Sequence, residues 1–230
     1  MKSLQEYINE GFKLGKNKVK KEEDFVNLGL PSKTLWCKYN VGATCGSTAK
    51  SWYGDYFMWG DTEPATNREC SWHNYKYCDN DGEFLTKYCH KNKINQWNGI
   101  GNPDNKLVLD IEDDMANANM GGDWKMPTKE QFKELLDNTT NEWIIDYNEI
   151  SGLNGRLFRS KTNDNTLFIP GTGYRHGNSV NYEGSFISIW SSTLAIYDPK
   201  HAYYFYSLDD FMSNDDNYRY QGFSVRGVMN

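Results

Sequence analysis

A serine, an aspartate and a histidine that lie close together in the chain are the first residues with catalytic potential. Ser191, Asp198 and His201 have the residue types of a hydrolase triad, in which the histidine takes the serine proton and the carboxylate orients the histidine. Ser191 lies in the stretch WSST and lacks the flanking glycines of a nucleophile elbow. The sequence therefore predicts that this serine is not a nucleophile.

Adjacent carboxylates suggest either glycosidase chemistry or a metal site. Asp209 with Asp210, and Asp215 with Asp216, are neighbours in the chain, whereas catalytic carboxylates act from opposite sides of a substrate. The stretch DNDGE (79–83) begins like a calcium loop, but its ligand spacing is incomplete. We therefore predict solvated polar turns here, and no metal ligands.

The cysteines allow a second kind of metal chemistry. The five cysteines are Cys37, Cys45, Cys70, Cys78 and Cys89. They form no CxxC pair and have no histidine at zinc-finger spacing, although His73 and His90 are near enough to leave a metal site as an alternative. Free, mostly buried thiols made in a reducing compartment are the default prediction, and no cofactor is expected.

The stretch from Tyr174 to Phe223 has the composition of a binding surface. It holds thirteen aromatic residues, interleaved with Asn, Ser, Asp, Gly and His rather than with aliphatic residues. Tyrosine gives a large contact area at low entropy cost, and small polar residues give adaptable hydrogen bonds. An antiparallel sheet with its aromatics packed inward is the alternative, and we expect inward packing for Trp190 in either case.

Charge and hydropathy exclude two classes of partner. The formal net charge of the chain is −6, whereas a nucleic-acid-binding protein would need a basic face. No run approaches the length of a membrane-spanning helix, so no membrane insertion is expected. The first residues also lack the apolar segment of a secretory signal, so no recognisable leader is expected.

Residues 1–24 differ from the rest of the chain. Leu4, Tyr7, Ile8 and Phe12 form one stripe of a short helix, and a lysine-rich stretch follows. Such a short helix is marginally stable alone. We interpret residues 1–24 as a docking segment or a tail, and residues 25–230 as one ligand-binding domain.

The pattern in residues 25–230 predicts an α+β fold of short antiparallel strands, two helices and long loops. The helices are expected at Ile111–Met120 and Thr128–Leu136, the second with Thr128 and Gln131 as a capping box. Strands are expected near 25–30, 34–41, 142–147, 155–160 and 166–170, and residues 62–105 are expected to form a surface insertion.

The order of several motifs resembles the Fibrobacter succinogenes major paralogous domain, which is abundant in Bacteroidetes. The motifs are VNLGLPSKTLW (26–36), NVGA (40–43), GDYFMWGD (54–61), TKYC (86–89), GGDWKMPT (121–128), GYR (173–175), WSST (190–193) and GFSVR (222–226). The resemblance covers about residues 26–228 and implies a C-type-lectin-like fold, akin to formylglycine-generating enzymes and to the variable proteins of diversity-generating retroelements. Gly227 stands where the family usually has proline.

The resemblance to retroelement variable proteins implies a division of the C-terminal half into variable and framework positions. The implied ligand-binding residues are His176, Asn178, Asn181, Tyr182, Ser185, Ile187, Tyr197, Asp198, His201, Tyr203, Tyr206, Asp209, Asn214, Asn217 and Tyr218. The implied framework residues are Tyr174, Trp190, Ser191, Ser192, Phe223, Val225 and Arg226. We expect the ligand-binding residues to share one exposed face, because only solvent-facing positions tolerate repeated substitution.

These features favour a binding protein over an enzyme. Formylglycine-generating enzymes use a pair of cysteines late in the domain, and no cysteine follows Cys89. The leading hypothesis is a phage virion component that binds a host-surface glycan or protein through residues 174–222 and other virion proteins through residues 1–24. The first ten residues, MKSLQEYINE, resemble virion proteins of crAss-like phages.

Two further hypotheses remain for the class of protein. One is a bacterial cell-surface or secreted adhesion module of Bacteroidetes, and the other is an intracellular scaffold protein. The choice between a glycan and a protein ligand stays open, because aromatic faces with Asn and Asp suit both. Homo-oligomer formation also stays open.

Overall fold

A computed structural model describes residues 24–65, 68–79, 84–90 and 104–230. Apart from Asp24, the predicted docking segment lies outside the described residues, and so does the calcium-like stretch beyond Asp79. Within the described ranges, no helix has both the length and the apolar character needed to cross a membrane.

Short strands dominate the described residues. The strands are β1 (Phe25–Asn27), β2 (Leu35–Asn40), β3 (Tyr56–Phe57), β4 (Cys78–Asp79), β5 (Phe84–Leu85), β6 (Thr139–Ile144), β7 (Gly155–Ser160), β8 (Thr166–Pro170), β9 (Tyr174–His176), β10 (Ser179–Asn181), β11 (Ile187–Leu194), β12 (His201–Ser207), β13 (Met212–Tyr218), β14 (Phe223–Ser224) and β15 (Arg226–Met229). The α-helices are α1 (Lys50–Tyr53), α2 (Met115–Met120) and α3 (Lys129–Asn138). The predicted α+β class is confirmed.

The largest sheet organises the molecule. Its five strands lie in the order β13-β12-β11-β14-β3, and all neighbours are antiparallel except β11 and β14. Two three-stranded sheets, β1-β2-β15 and β6-β7-β8, and the hairpins β9–β10 and β4–β5 complete the described strands. Strand β15 follows β14 after Val225, so the C-terminal strands link the large sheet to β2.

Helix α3 begins as predicted. The Thr128 side chain accepts from the backbone N–H of Gln131, and the Gln131 side chain accepts from the backbone N–H of Thr128, which satisfies two free donors of the first turn. The predicted helix at Ile111–Met120 is instead divided, because Asp114 is extended and caps α2 after a 3₁₀ turn at Ile111–Asp113. Helix α1 was not predicted.

The core consists of two main apolar clusters, one on each face of the large sheet. On the face that we call the helix face, Phe205 of β12 stacks on Phe132 of α3 at 5.3 Å. On the face that we call the cavity face, Trp190 and Tyr204 pack with residues from the first half of the chain. Consecutive residues of one strand therefore belong to different clusters, because successive side chains point to opposite faces of a sheet.

The predicted inward packing of Trp190 is confirmed, since its side chain is buried. Trp124 is also buried, as are the framework residues Ser191, Ser192, Phe223, Val225 and Arg226. The predicted surface insertion at 62–105 needs correction, because Tyr75, Tyr77 and Tyr88 are buried in the cluster below the cavity face.

The packing around position 227 explains why it holds a glycine. A Cβ atom at this position would lie 2.9 Å from Met120 Sδ and 2.9 Å from Trp124 Cε3, so the residue must stay small for α2 and Trp124 to close over β15.

Candidate ligand-binding surface

A cavity of about 240 Å³ lies on the cavity face of the large sheet. Its lining comes from β9, β12, β13, β14 and the loops between strands: Tyr174, Phe186, Tyr204, Asn217, Gln221 and Phe223. Four of these six residues are aromatic, and the other two carry the side-chain amides of Asn217 and Gln221. All six belong to the C-terminal stretch that the sequence predicts to be a binding surface.

The floor of the cavity is anchored in the core. Phe223 stacks on Trp190 with ring centroids 4.3 Å apart, and Trp190 Nε1 donates to the carbonyl of Phe57 at 2.8 Å. Trp190 is 0% exposed. A residue held by both packing and a satisfied indole N–H is rigid, so the floor is preformed.

Tyr174 stands as one wall because of the glycine before it. Gly173 has φ +66°, and a Cβ there would lie 2.0 Å from the carbonyl oxygen of Asn181. Glycine therefore allows the β9–β10 hairpin to fold closely against its own base. The Tyr174 ring then lies 6.2 Å from Phe223 and 5.9 Å from Phe186, nearly perpendicular to both. This framework residue is half-buried and lines the cavity, in addition to supporting the fold.

Asn217 and the amide oxygen of Gln221, which line the cavity, have side-chain partners within the protein. The side chain of Asn217 hydrogen-bonds the Tyr204 hydroxyl. Gln221 Oε1 lies 3.3 Å from His176 Nδ1. Burial raises the pKa of Tyr204 to about 12, the bond from Asn217 lowers it, and the carboxylate of Asp215 raises it.

Aromatic residues continue the cavity wall onto the surface in two directions. On one side Tyr206 lies 5.9 Å from Phe186 and 5.7 Å from Phe211. On the other side Trp72, Tyr218 and Tyr220 form a mutual cluster with centroid distances of 5.0 to 6.0 Å. We call this whole set, with the cavity and Tyr182, the aromatic surface.

The structure brings several predicted ligand-binding residues to the aromatic surface. Tyr182 stacks on Tyr174 at 5.9 Å, and the Ser185 hydroxyl donates to the Tyr182 carbonyl. The residues at or beside this surface are His176, Asn181, Tyr182, Ser185, Tyr206, Asn217 and Tyr218, whereas Asn178 lies in the turn between β9 and β10.

The prediction that all the ligand-binding residues share one exposed face is wrong. Tyr203 lies on the helix face, where the Lys129 ammonium sits 4.2 Å from its ring centroid, and Asn214 pairs with Phe205 and points the same way. Ile187 is 0% exposed in the cluster that contains α3, so its prediction as a ligand contact is also wrong. Both errors arise because alternate residues of a strand face opposite sides.

The remaining predicted residues lie at the ends of β12 and β13. Tyr197 is exposed and Asp198 accepts from the backbone N–H of Lys200, both in the loop before β12. Asp209 lies in the exposed turn after β12. His201 Nδ1 lies 2.6 Å from Asp216 Oδ2, and the His201 ring packs edge-on against Tyr218 at 4.4 Å.

Sequence analysis missed eight members of the aromatic surface. Two of them, Tyr174 and Phe223, it assigned to the framework, and the others are Trp72, Phe186, Tyr204, Phe211, Tyr220 and Gln221. Phe186, Phe211, Tyr220 and Gln221 lie between predicted residues, and their aromatic or amide character was an available signal. Trp72 carries no such signal, because it belongs to a distant part of the chain that only the fold brings near Tyr218.

The residues considered for a triad have other partners. The Ser191 hydroxyl is buried, donates to the carbonyl of Tyr203 at 2.9 Å and accepts from the backbone N–H of Thr193. Burial lowers the pKa of His201, which favours the neutral ring with Nδ1–H donating to Asp216. Ser191 therefore joins β11 to β12, and His201 joins β12 to β13.

Acidic residues and thiols account for the other reactive groups. Asp110, Glu112 and Asp113 converge, and Lys87 lies within 2.5 to 3.5 Å of all three. Lys106 also pairs with Asp110 and Lys76 with Asp113, so lysines of the protein already pair with this acidic group. None of the five cysteines, all of which lie in the described residues, forms a disulfide, and Cys37, Cys70 and Cys89 are buried, as predicted. Burial raises the pKa of Cys70 to about 11, which makes this thiol a poor nucleophile at neutral pH.

A larger cavity of about 750 Å³ lies elsewhere, between α2, the start of α3 and β15. Its lining includes Val108, Asp114, Lys125, Gln131 and Asn230, and the described residues around it include none of the predicted ligand contacts. The Asp114 carboxylate already accepts from the backbone N–H groups of Asn117 and Met126, and Gln131 serves the α3 cap. We therefore place the candidate site at the smaller aromatic cavity.

Comparison of this chain with known proteins identifies no relative. No family model, no curated protein and no solved structure matches this chain.

Proposed function

We propose that this chain is a ligand-binding protein that attaches to its target through the aromatic surface. The observation that carries the proposal is a contiguous set of exposed rings around a rigid cavity. Tyr182, Phe211 and Tyr218 are 65%, 52% and 41% exposed, respectively, and each contacts another ring of the same surface. A contiguous exposed apolar patch on a folded domain marks an interaction site.

Binding without catalysis is the simpler function for this surface. Its polar groups are amides and hydroxyls, and the nearby Ser191 and His201 are engaged in joining strands. The proposal therefore assigns the protein to attachment, and it assigns Tyr206, Asn217 and Tyr218 to ligand contact.

A C-type-lectin-like fold, with variation in the C-terminal half, is the finer form of this proposal. Support comes from the motif order that resembles the Fibrobacter succinogenes major paralogous domain and from the burial of the framework residues of WSST and GFSVR. In this form, the buried motifs hold the scaffold constant while exposed tyrosines and asparagines of the aromatic surface vary.

The proposed setting is a phage virion whose target is a glycan or protein on a bacterial host. It rests on the resemblance of the first ten residues to virion proteins of crAss-like phages, with residues 1–24 as the docking segment. A bacterial cell-surface or secreted adhesion module is the alternative.

A triple substitution tests the attachment function. Tyr182→Ser, Tyr206→Ser and Tyr218→Ser together should abolish attachment of the labelled protein to the bacterial cells that the unaltered protein binds. The melting temperature should change little, because these side chains lie at the surface. Tyr203→Ser is the matched control. Because Tyr203 lies on the helix face, this variant should attach to the cells like the unaltered protein. Attachment by the triple variant would contradict the proposal.

A further inference from the structure

We infer that the cavity of the aromatic surface takes one neutral sugar ring, and that the side-chain N–H₂ group of Gln221 donates a hydrogen bond to it. This inference rests on the proposed function and deepens it, because it chooses a glycan over a protein as the ligand of the same surface. The supporting observations are a free hydrogen-bond donor in the cavity, an uncharged lining and an exposed ring beside it.

Gln221 carries a free hydrogen-bond donor on a buried side chain. The residue is 8% exposed and lines the cavity. Its Oε1 lies 3.3 Å from His176 Nδ1, whereas its Nε2 has no hydrogen-bond partner among the described residues. In the same part of the chain, the side-chain atoms that are sealed from solvent without a partner belong to Trp36, Arg175 and Asn214, so Gln221 Nε2 stays accessible. A ligand that fills the cavity must supply an acceptor here, because a buried donor without a partner costs about 1–3 kcal/mol.

The backbone around Gln221 holds this donor in place. The backbone N–H of Gln221 donates to the carbonyl of Tyr218 at 3.0 Å. The next residue, Gly222, exchanges two backbone hydrogen bonds with Arg175, at 2.7 and 2.9 Å. The contact of Oε1 with His176 then orients the planar amide. The donor is therefore positioned before a ligand arrives, which lowers the entropy cost of binding.

A free donor disfavours several classes of ligand group. Ammonium groups, guanidinium groups and the indole of tryptophan carry donors and no acceptor, so none of them pairs with Gln221 Nε2. Tryptophan and arginine are also among the residues on which protein–protein attachment most often depends. A sugar hydroxyl both accepts and donates, so a sugar can pair with Gln221 Nε2 and with the amide of Asn217, which lines the same cavity.

The electrostatics of the cavity favour a neutral ligand over an anion. None of the six described residues that line it carries a charge at neutral pH. Asp215 pairs directly with Tyr204 across β12 and β13. Burial raises the pKa of Tyr204 to about 12, and the Asp215 carboxylate contributes to this rise. A carboxylate or phosphate group in the cavity would lose its water, meet no cation in the lining and be repelled by Asp215.

The size of the cavity and the ring beside it suit one sugar residue. Its volume of about 240 Å³ is below the roughly 300–1,000 Å³ of pockets that hold drug-sized ligands. The Tyr182 ring is 65% exposed and stacks at 5.9 Å on Tyr174, which lines the cavity. A pyranose has an apolar C–H face as well as hydroxyls, so it can pack against an exposed ring while its hydroxyls reach the amides.

The methyl glycosides of glucose, galactose, mannose and N-acetylglucosamine, each titrated alone into the full chain, provide the direct test. In two-dimensional ¹H–¹⁵N NMR spectra, at least one of them should shift the side-chain amide signals of Gln221 and Asn217, with a Kd of about 1 mM. Methoxycyclohexane has a similar ring without ring hydroxyls and should bind at least about tenfold more weakly. Absence of a shift with all four glycosides, or equal binding of methoxycyclohexane, would overturn the inference.

Substitution of Gln221 supplies a second measurement. Gln221→Met keeps the size of the side chain and removes its donor, so it should weaken binding of the glycoside at least about tenfold. Asn214→Leu is the matched control, because it also replaces an amide by an apolar group of similar size but lies on the helix face, and it should leave the affinity unchanged. If Gln221→Met binds the glycoside as tightly as the unaltered protein, Gln221 is not the donor and the inference fails.

Treatment of the bacterial cells separates a glycan from a protein target. Periodate cleaves the bond between carbons that carry neighbouring hydroxyls, so it should abolish attachment of the labelled full chain. Attachment that survives periodate but is lost after proteinase K would identify a protein target and overturn the inference, while leaving the proposed function intact. Retained attachment by the triple tyrosine variant would instead contradict the proposed function itself.

Discussion

At the scale of single residues, the buried Arg219 connects the residues that pack beneath the aromatic surface. Its side chain is 0% exposed. Arg219 donates to the Tyr75 hydroxyl and to the carbonyls of Lys87, Tyr88 and Pro199, and it lies 5.0 Å from the Trp59 ring centroid. Peptide carbonyls and ring faces thus compensate its charge, and they tie the loop before β12 to distant segments of the chain.

Arg219→Lys is expected to destabilise the protein by about 2–4 kcal/mol, because a lysine cannot reach all these acceptors and leaves buried carbonyls unpaired. Urea unfolding followed by tryptophan fluorescence measures the change. Arg159→Lys, at an exposed position of β7, is the control and should change stability by less than about 0.5 kcal/mol. Equal stability of the two variants would show that the Arg219 network contributes little.

Trp190 links the cavity floor to the core, so its removal should affect the whole fold. Trp190→Ala is expected to cost about 3–5 kcal/mol, as in other large aromatic-to-alanine changes in a core. Tyr182→Ala removes a ring that is 65% exposed and should cost about 0.5 kcal/mol or less. Thermal unfolding of both variants checks this, and an unchanged melting temperature for Trp190→Ala would contradict the assignment of WSST to the core.

At the scale of elements, Asp113 fastens the 3₁₀ turn at Ile111–Asp113 to the segment around Tyr88. Its carboxylate accepts from Lys87 Nζ at 2.5 Å, from the Tyr88 hydroxyl at 2.6 Å and from Lys76 Nζ at 3.2 Å. Burial alone would raise the pKa of Asp113, but hydrogen bonds from Lys87, Tyr77 and Tyr88 outweigh it and hold the pKa at about 2. This network positions the segment that packs beneath the cavity face.

The depressed pKa of Asp113 predicts loss of stability in acid. The unfolded carboxyl has a pKa of 3.8 and the folded one about 2, so the contribution is fully present above about pH 5 and is lost as pH falls toward 2. Asp113→Asn should lower the free energy of unfolding by about 2 kcal/mol at pH 7 and by much less near pH 2. Urea titrations at both pH values measure this difference. If Asp113→Asn lowers the free energy of unfolding by the same amount at both pH values, the ionisation of Asp113 is not the cause of the loss.

At the scale of the whole molecule, strand pairing joins the first described residues to the C-terminus. Strand β1 pairs with β2 from Phe25 onward, and β2 pairs with β15 near the C-terminus. The two main clusters then bury both faces of the large sheet. The proposed function divides the chain between docking by residues 1–24 and attachment by the aromatic surface.

A deletion that starts at Phe25 tests this division. The shortened chain should unfold at a melting temperature close to that of the full chain, because the described strand pairs remain. In the proposed virion setting, it should also fail to join its assembly. Calorimetry and co-purification with the assembly measure the two effects. An unfolded product would show that residues 1–23 belong to the core.

Local features of the sequence determined those elements that depend on interactions between residues close together in the chain. The capping box at Thr128 and Gln131 predicted the start of α3, because its two hydrogen bonds join residues three positions apart. Residue pattern and turn residues predicted β7 and β8 within their observed bounds. The aromatic and polar composition after Tyr174 located the half of the chain that carries the cavity.

Tertiary structure alone decided which side chains meet. Tyr203 and Tyr206 have the same residue type and nearly the same sequence context, yet they face opposite sides, because β12 is buried on both faces and its register with β11 and β13 sets the direction of each residue. Trp72 reaches Tyr218 only because segments far apart in the chain pack together. Composition therefore predicted a binding surface in this half of the chain, whereas long-range strand pairing selected the residues that form the aromatic surface.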